Sequence, residues 1–119
     1  MSSASFTTSG DDVLAAWESR RQVYFARIEG ETSEVTEPIP APGRGDNRKH
    51  PALASHDDGR TILVWTEGTA WQRGGEIVWQ VFDTDGNPMT GETGRAKGLP
   101  VWGLAAVVSG ADGVFTIIY

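Results

Sequence analysis

Short apolar runs separated by polar turns recur along this chain of 119 residues. The runs at 13–17, 61–65 and 115–119 each follow a turn rich in Ser, Asp and Gly, and between them stretches such as 22–28 alternate side chains between two faces. This alternation has the period of two that is typical of a strand. No segment keeps a period of 3.6 over three turns, so the pattern predicts an all-β chain.

The predicted strands form groups that can be labelled first to fourth. First strands are expected at 5–8, 52–55 and 104–109, and second strands at 13–18, 61–67 and 114–119. Third strands are expected at 22–28 and 76–83, and weak fourth strands near 34–37 and 89–92. Long connections are expected at 38–50 and 94–102. Sequential hairpins should place strand 61–67 antiparallel between 52–55 and 76–83.

The strand groups repeat along the sequence. Trp65 follows Trp17 by 48 residues, and Tyr119 follows Trp65 by 54. Aligning the third strands at a shift of 55 matches Tyr24 with Trp79 and places a seven-residue insertion within 68–75. Units of this length with several short strands are typical of β-propeller blades, which are four-stranded antiparallel up-and-down sheets.

The prediction is therefore one propeller-type repeat domain over residues 1–119. It has two full repeats, at about 4–49 and 50–102, and a half repeat at 103–119. Four aromatic residues are predicted to pack between repeats, with the last two largely buried: Trp17, Tyr24, Trp65 and Trp79.

Composition narrows the function classes. The formal net charge of −6, without a basic cluster, argues against nucleic acid and against an anionic membrane surface as partners. No apolar run approaches the length of a membrane span, and the first residues do not show the basic and apolar segments of a signal peptide. The absence of Cys excludes disulfides and thiolate sites, which leaves the compartment open.

The repeat resembles blades of sialidase-like β-propellers. The resemblance lies in the pattern from His50 to Ala54, a DG turn, the strand ending in Trp65, and the strand at 76–83 followed by a second DG turn. Residues 55–62 are also similar to the Asp-box of that family, with Ile62 where an aromatic residue is usual. The family places its Asp-box between third and fourth strands, whereas this turn falls between first and second strands.

The resemblance implies that catalysis would need residues from most blades of a ring, and none of those residues is matched here. We therefore predict no enzyme, no cofactor and no metal site. His50 and His56 are expected to be turn residues, and Asp83 to Asn87 a hairpin rather than a calcium loop, since the loop's final glutamate is missing. An adhesion role for the tripeptide at 44–46 is not favoured.

Trp71 differs from the other aromatic residues because it lies in the polar, Gly-rich insertion. Exposed aromatic residues on loops often form platforms for sugars, so Trp71, Gln72 and Arg73 are candidate ligand-binding residues. The alternative is a loop anchor or an inter-chain contact. Trp102 is expected to pack between repeats.

The final strand has no third strand after it, and an apolar strand with an open edge can pair with another chain. The assembly strand is predicted to use Val114, Phe115, Ile117, Ile118 and Tyr119. We expect a fragment of a longer repeat protein, excised or engineered, that closes a ring as a homodimer or homotrimer. The alternatives are a glycan-binding module and a slice of a sialidase-like glycosidase whose catalytic residues lie elsewhere.

Overall fold

The computed structural model describes residues 4–119. Residues 1–3, which begin the segment in which no signal peptide is predicted, lie outside the described residues. Within residues 4–119 there are ten strands and no helix, which confirms the all-β prediction. The strands are β1 (Ser5–Ser9), β2 (Asp12–Ser19), β3 (Gln22–Ile28), β4 (Ile39–Pro40), β5 (Lys49–Ser55), β6 (Thr61–Glu67), β7 (Gly75–Phe82), β8 (Pro88–Leu99), β9 (Ala106–Ser109) and β10 (Phe115–Ile118).

These strands form three antiparallel sheets in sequence order. The first sheet is β1-β2-β3-β4, the second is β5-β6-β7-β8, and β9 with β10 forms a two-stranded sheet. β6 lies between β5 and β7, as predicted from the hairpin connections. β1 and β9 lie on either side of β5, so the first strands of the three sheets are neighbours.

The turns explain why consecutive strands pair. In the turn before β6, the carboxylate of Asp58 accepts the Arg60 backbone N–H at 3.0 Å. In the turn before β10, Asp112 accepts the Val114 backbone N–H in the same way, at 3.1 Å. Asp83 likewise accepts two backbone N–H groups in the β7–β8 hairpin, which confirms the predicted hairpin. Asx turns of this kind fix the chain reversal locally.

Two apolar clusters join the three sheets. The front face of the first sheet (Leu14, Ala16, Val23, Phe25) packs on the rear face of the second (Leu53, Leu63, Trp65, Val78, Phe82). The front face of the second sheet (Ala54, Ile62, Val64, Ile77, Val81) packs on the rear face of the two-stranded sheet (Val107, Phe115, Ile117). The second sheet is therefore covered on both sides, and all seven residues of β6 are buried.

The predicted fourth strands were placed correctly only in part, since the one expected near 89–92 lies within β8. Residues 34–37 are exposed and contribute only a single antiparallel bridge, between Val35 and Ile28, whereas β4 lies further along, where Ile39 and Pro40 pair with β3. β8 continues to Leu99, through much of the predicted connection 94–102. Most side chains of β8 are exposed, so backbone pairing with β7 defines this edge strand and leaves no apolar alternation to detect.

The predicted alignment of Tyr24 with Trp79 was also wrong, by one residue. Val13 pairs with Ile28 in the first sheet, and its counterpart Thr61 pairs with Phe82, so the third strands are related by 54 positions. A shift of one residue exchanges the two faces of a strand. Tyr24 accordingly lies on the rear face of its sheet, whereas Trp79 packs toward the two-stranded sheet.

The four repeat aromatics differ in burial. Trp65 is 1% exposed, as expected. Trp79 is only partly buried, because it lies at the margin of its cluster against Gly94, where a Cβ would clash with the indole ring. Trp17 and Tyr24 stack on each other with centroids 6.2 Å apart and are partly exposed, since no described residue covers the rear face of the first sheet.

Candidate functional site

The loop between β6 and β7 stands out at one end of the second sheet. The counterpart hairpin between β2 and β3 has only Arg20 and Arg21 at its tip, both with positive φ, whereas residues 68–74 connect β6 to β7. Within this loop Ala70 and Arg73 exchange two backbone hydrogen bonds, of 3.2 and 3.0 Å, around Trp71 and Gln72. This tight turn projects Trp71 away from the sheet, and its side chain is 76% exposed.

The loop is held in place by polar contacts. Gly68 N–H donates to the Asp46 carbonyl at 2.9 Å, and the Asn47 side chain donates to the Thr69 carbonyl. Arg73 Nε donates to the Gly68 carbonyl at 2.9 Å, which orients the guanidinium within its own loop. The loop is thus anchored although its aromatic tip is exposed.

Trp102 meets Trp71 edge to face. The ring centroids are 5.8 Å apart with planes at 83°, and Trp102 is 77% exposed. The prediction that Trp102 packs between repeats is therefore wrong. Trp102 occupies the turn from Pro100 to Gly103 with a φ of 65°, a position that usually favours glycine, and this turn carries the ring outward. In the sequence, Pro100 and Gly103 near Trp102 are typical of a turn, and a turn would have indicated an exposed aromatic side chain.

The two indoles border a depression of about 420 Å³. Its other lining residues are Lys49, His50, Thr69, Ala70, Arg73, Gly103 and Leu104. Of the three candidate ligand-binding residues, Trp71 and Arg73 line this depression, whereas Gln72 is exposed at the turn and is not among the lining residues.

Burial shapes the polar side of the depression. It lowers the pKa of His50, with a further lowering by Lys49 and an opposing effect of Glu18, so the imidazole is mainly neutral near pH 7. The hydroxyl of Thr69 is buried and has no hydrogen-bond partner among residues 4–119. Buried polar atoms nearly always have a partner, so this hydroxyl is an exception among the described side chains.

A buried ionic cluster lies next to the loop, at the end of β6. Arg48 is 2% exposed, and its Nε donates to Glu67 at 3.1 Å while its other nitrogens donate to the carbonyls of Ala41 and Pro42. Trp65 Nε1 also donates to Glu67, at 2.9 Å. Each charged group is therefore satisfied, and Arg48 connects the β4–β5 segment to the second sheet.

The predicted assembly strand has two different faces. Phe115 and Ile117 pack against the second sheet, whereas Val114, Ile118 and Tyr119 are 57%, 62% and 51% exposed. Sequence reasoning did not anticipate that Phe6, on the rear face of β1, would be equally exposed, at 62%.

Among residues 4–119 no group of three or more His, Asp or Glu side chains is arranged to hold a metal ion. In the same residues no helix is long and apolar enough to cross a membrane. No model of a known protein family matches the chain, and no curated protein or solved structure matches it either.

Proposed function

We propose that this chain is a non-catalytic, propeller-type repeat protein, similar to sialidase-like propellers, that assembles with copies of itself into a closed ring. The carrying observation is that the two end sheets each leave one apolar face uncovered, while the same faces of the second sheet are covered. Repeated sheets that cannot bury both faces alone need neighbours.

The rear face of the first sheet has a covered counterpart within the chain. Phe6 pairs with Ala15 in the first sheet, as Leu53 pairs with Leu63 in the second. Leu53 is 7% exposed because it packs on the first sheet, whereas Phe6 is 62% exposed. Phe6 and the Trp17–Tyr24 stack therefore form an apolar face of the kind that another sheet covers.

The front face of the two-stranded sheet is the second apolar face that is left uncovered. Ile118 corresponds to Val64 at a shift of 54 positions, and Val64 is fully buried against the two-stranded sheet. Val108 and Ile118 are 54% and 62% exposed. Within residues 4–119 no strand pairs with the outer edge of β10, so backbone groups are also open there.

The two uncovered faces complement each other in the way that the covered faces do. A front face packs on a rear face at both internal interfaces, so the front face of one copy fits the rear face of the next. Such head-to-tail contacts form a ring when the rotation closes. Each copy supplies three sheets whose first strands are neighbours, so a dimer would place six sheets around the ring. Six lies within the range of about four to eight blades known for propellers. Three copies would exceed that range, which favours the dimer.

Sedimentation equilibrium over micromolar concentrations tests the proposal. The wild-type chain should sediment at twice the mass of one chain. Phe6→Lys damages the rear face and Ile118→Lys the front face, so each variant alone should be monomeric. An equal mixture of the two should recover a two-chain species, because one intact front face can still meet one intact rear face.

Thr90→Lys is the matched control, since it adds the same charge at an exposed position of β8 and should leave the dimer intact. Circular dichroism verifies that every variant keeps its sheet content. A wild-type monomer at all concentrations would overturn the proposal. If the equal mixture formed no two-chain species, head-to-tail packing would be overturned.

A further inference from the structure

We propose that the corner formed by Trp71 and Trp102 binds a neutral, β-linked hexose oligosaccharide. This inference is independent of the proposed ring, because it rests on a depression within one chain.

The first argument is the exposure of the two indoles. They are the most exposed large apolar side chains among residues 4–119, at 76% and 77%. They contact each other at 83° rather than entering either apolar cluster. One indole presents its flat face and the other its edge. This arrangement suits a ligand whose rigid ring has an apolar face.

The second argument is the backbone that holds the rings outward. Gln72 has a φ of 53° and Trp102 a φ of 65°, in a region that non-glycine residues seldom adopt. Such conformations persist where surrounding contacts impose them, and they concentrate at binding sites. Here the Ala70–Arg73 hydrogen bonds and the Gly103-to-Pro100 hydrogen bond of 2.8 Å impose them.

The third argument is the polar lining. A pyranose with equatorial hydroxyls has apolar C–H groups on its faces and a rim of hydroxyls that need partners. The depression supplies a neutral His50 ring, the Arg73 guanidinium and the Lys49 ammonium. Sites that join aromatic walls to a few polar groups are the usual form of small-molecule pockets.

Neutral sugar is favoured over an acidic peptide for a specific reason. The Arg73 guanidinium is partly engaged with the Gly68 carbonyl, and the chain has a net charge of −6. Long-range attraction of an anionic partner is therefore weak. Face-on stacking against indole requires no charge on the ligand.

Titration of the full chain with cellohexaose, followed by tryptophan fluorescence, tests the inference; maltohexaose is the comparison, since its α-linkages curve the chain away from a flat contact. Cellohexaose should bind with a millimolar or tighter Kd and more tightly than maltohexaose. Trp71→Ala and Trp102→Ala should each weaken binding by at least tenfold. Both should leave the midpoint of urea denaturation close to that of the wild-type chain, as for exposed positions.

Val35→Ala is the control, because Val35 is an apolar side chain that is 62% exposed and does not line the depression. It should leave cellohexaose affinity unchanged.

No binding of cellohexaose at millimolar concentration would overturn the inference, as would binding that survives both indole deletions. A change in sedimentation on Trp71→Ala, without sugar binding, would assign the corner to contacts between copies. A monomeric wild type that binds cellohexaose would overturn only the ring.

Discussion

β6 and β10 carry closely related strands in different surroundings. Each follows a turn in which an Asp side chain accepts a backbone N–H, and Leu63 in β6 corresponds to Ile117 in β10. Every residue of β6 is buried between two sheets, whereas β10 alternates partly buried and exposed residues. The difference shows that burial in this fold depends on the number of neighbouring sheets more than on the strand sequence.

A second difference lies at the strand ends. β6 ends at Glu67, whose carboxylate accepts from Trp65 and from the buried Arg48. Tyr119, the counterpart of Trp65, is 51% exposed. The second sheet is therefore fixed both by apolar packing and by a satisfied ionic cluster.

The largest effect is expected when this cluster is broken. Glu67→Gln keeps the side-chain size but leaves Arg48 without its carboxylate, and removing one partner of a buried pair typically costs about 3–5 kcal/mol. Urea denaturation measures the free energy of unfolding. Glu76→Gln is the matched control: its partner Arg95 is 52% exposed and 2.6 Å away, so the loss should stay below about 1 kcal/mol. Equal losses in the two variants would contradict a structural role for the cluster.

A smaller effect is expected when one apolar side chain is truncated in β6 or in its counterpart β10. Leu63→Ala should destabilise the chain by about 2–5 kcal/mol, the usual range for a fully buried leucine. Ile117→Ala should cost less than half as much, since Ile117 is only partly buried against one sheet. Thermal unfolding of both variants at the same protein concentration measures the difference. Both variants also carry Phe6→Lys, so that the proposed ring cannot cover β10, and similar losses in that background would contradict the prediction.

The sequence predicts the strands whose side chains alternate clearly. β3 and β6 begin and end at the predicted residues, and the other first, second and third strands are off by at most three residues at either end. β3 shows period-two alternation, which is typical of a strand, whereas β6 is recognisable as a short apolar run because both of its faces are buried. Of β8 only the part near 89–92 was predicted, because its pairing with β7 is a backbone property and its side chains are largely exposed.

The candidate site was predicted only in part. Trp71 could be singled out because its neighbours are polar and Gly-rich, and the structure places it at an exposed turn. Its contact with Trp102 could not be predicted, because it joins two turns that are 31 residues apart in sequence. The length of the β6–β7 loop was also overestimated by one residue, which exchanged the faces assigned to Tyr24 and Trp79.

The smallest effect concerns the two counterpart hairpins. The β2–β3 turn places Arg20 at φ 52° and Arg21 at φ 65°, where a two-residue turn favours Asn-Gly. Left-handed conformations cost non-glycine residues about 1–2 kcal/mol each. Replacing both residues, as Arg20→Asn with Arg21→Gly, should raise the free energy of unfolding by about 1 kcal/mol, after the added flexibility of the unfolded chain is subtracted.

Gln72→Gly is the matched change in the β6–β7 loop, since Gln72 also has a positive φ, of 53°. It should have a smaller effect on stability, because the surrounding segment 68–74 is longer and is held by hydrogen bonds to Asp46 and Asn47. Parallel urea denaturation of the two variants compares the hairpins directly. A loss of stability in the β2–β3 variant would mean that the Arg20 and Arg21 side chains stabilise the first sheet by more than their backbone conformation costs.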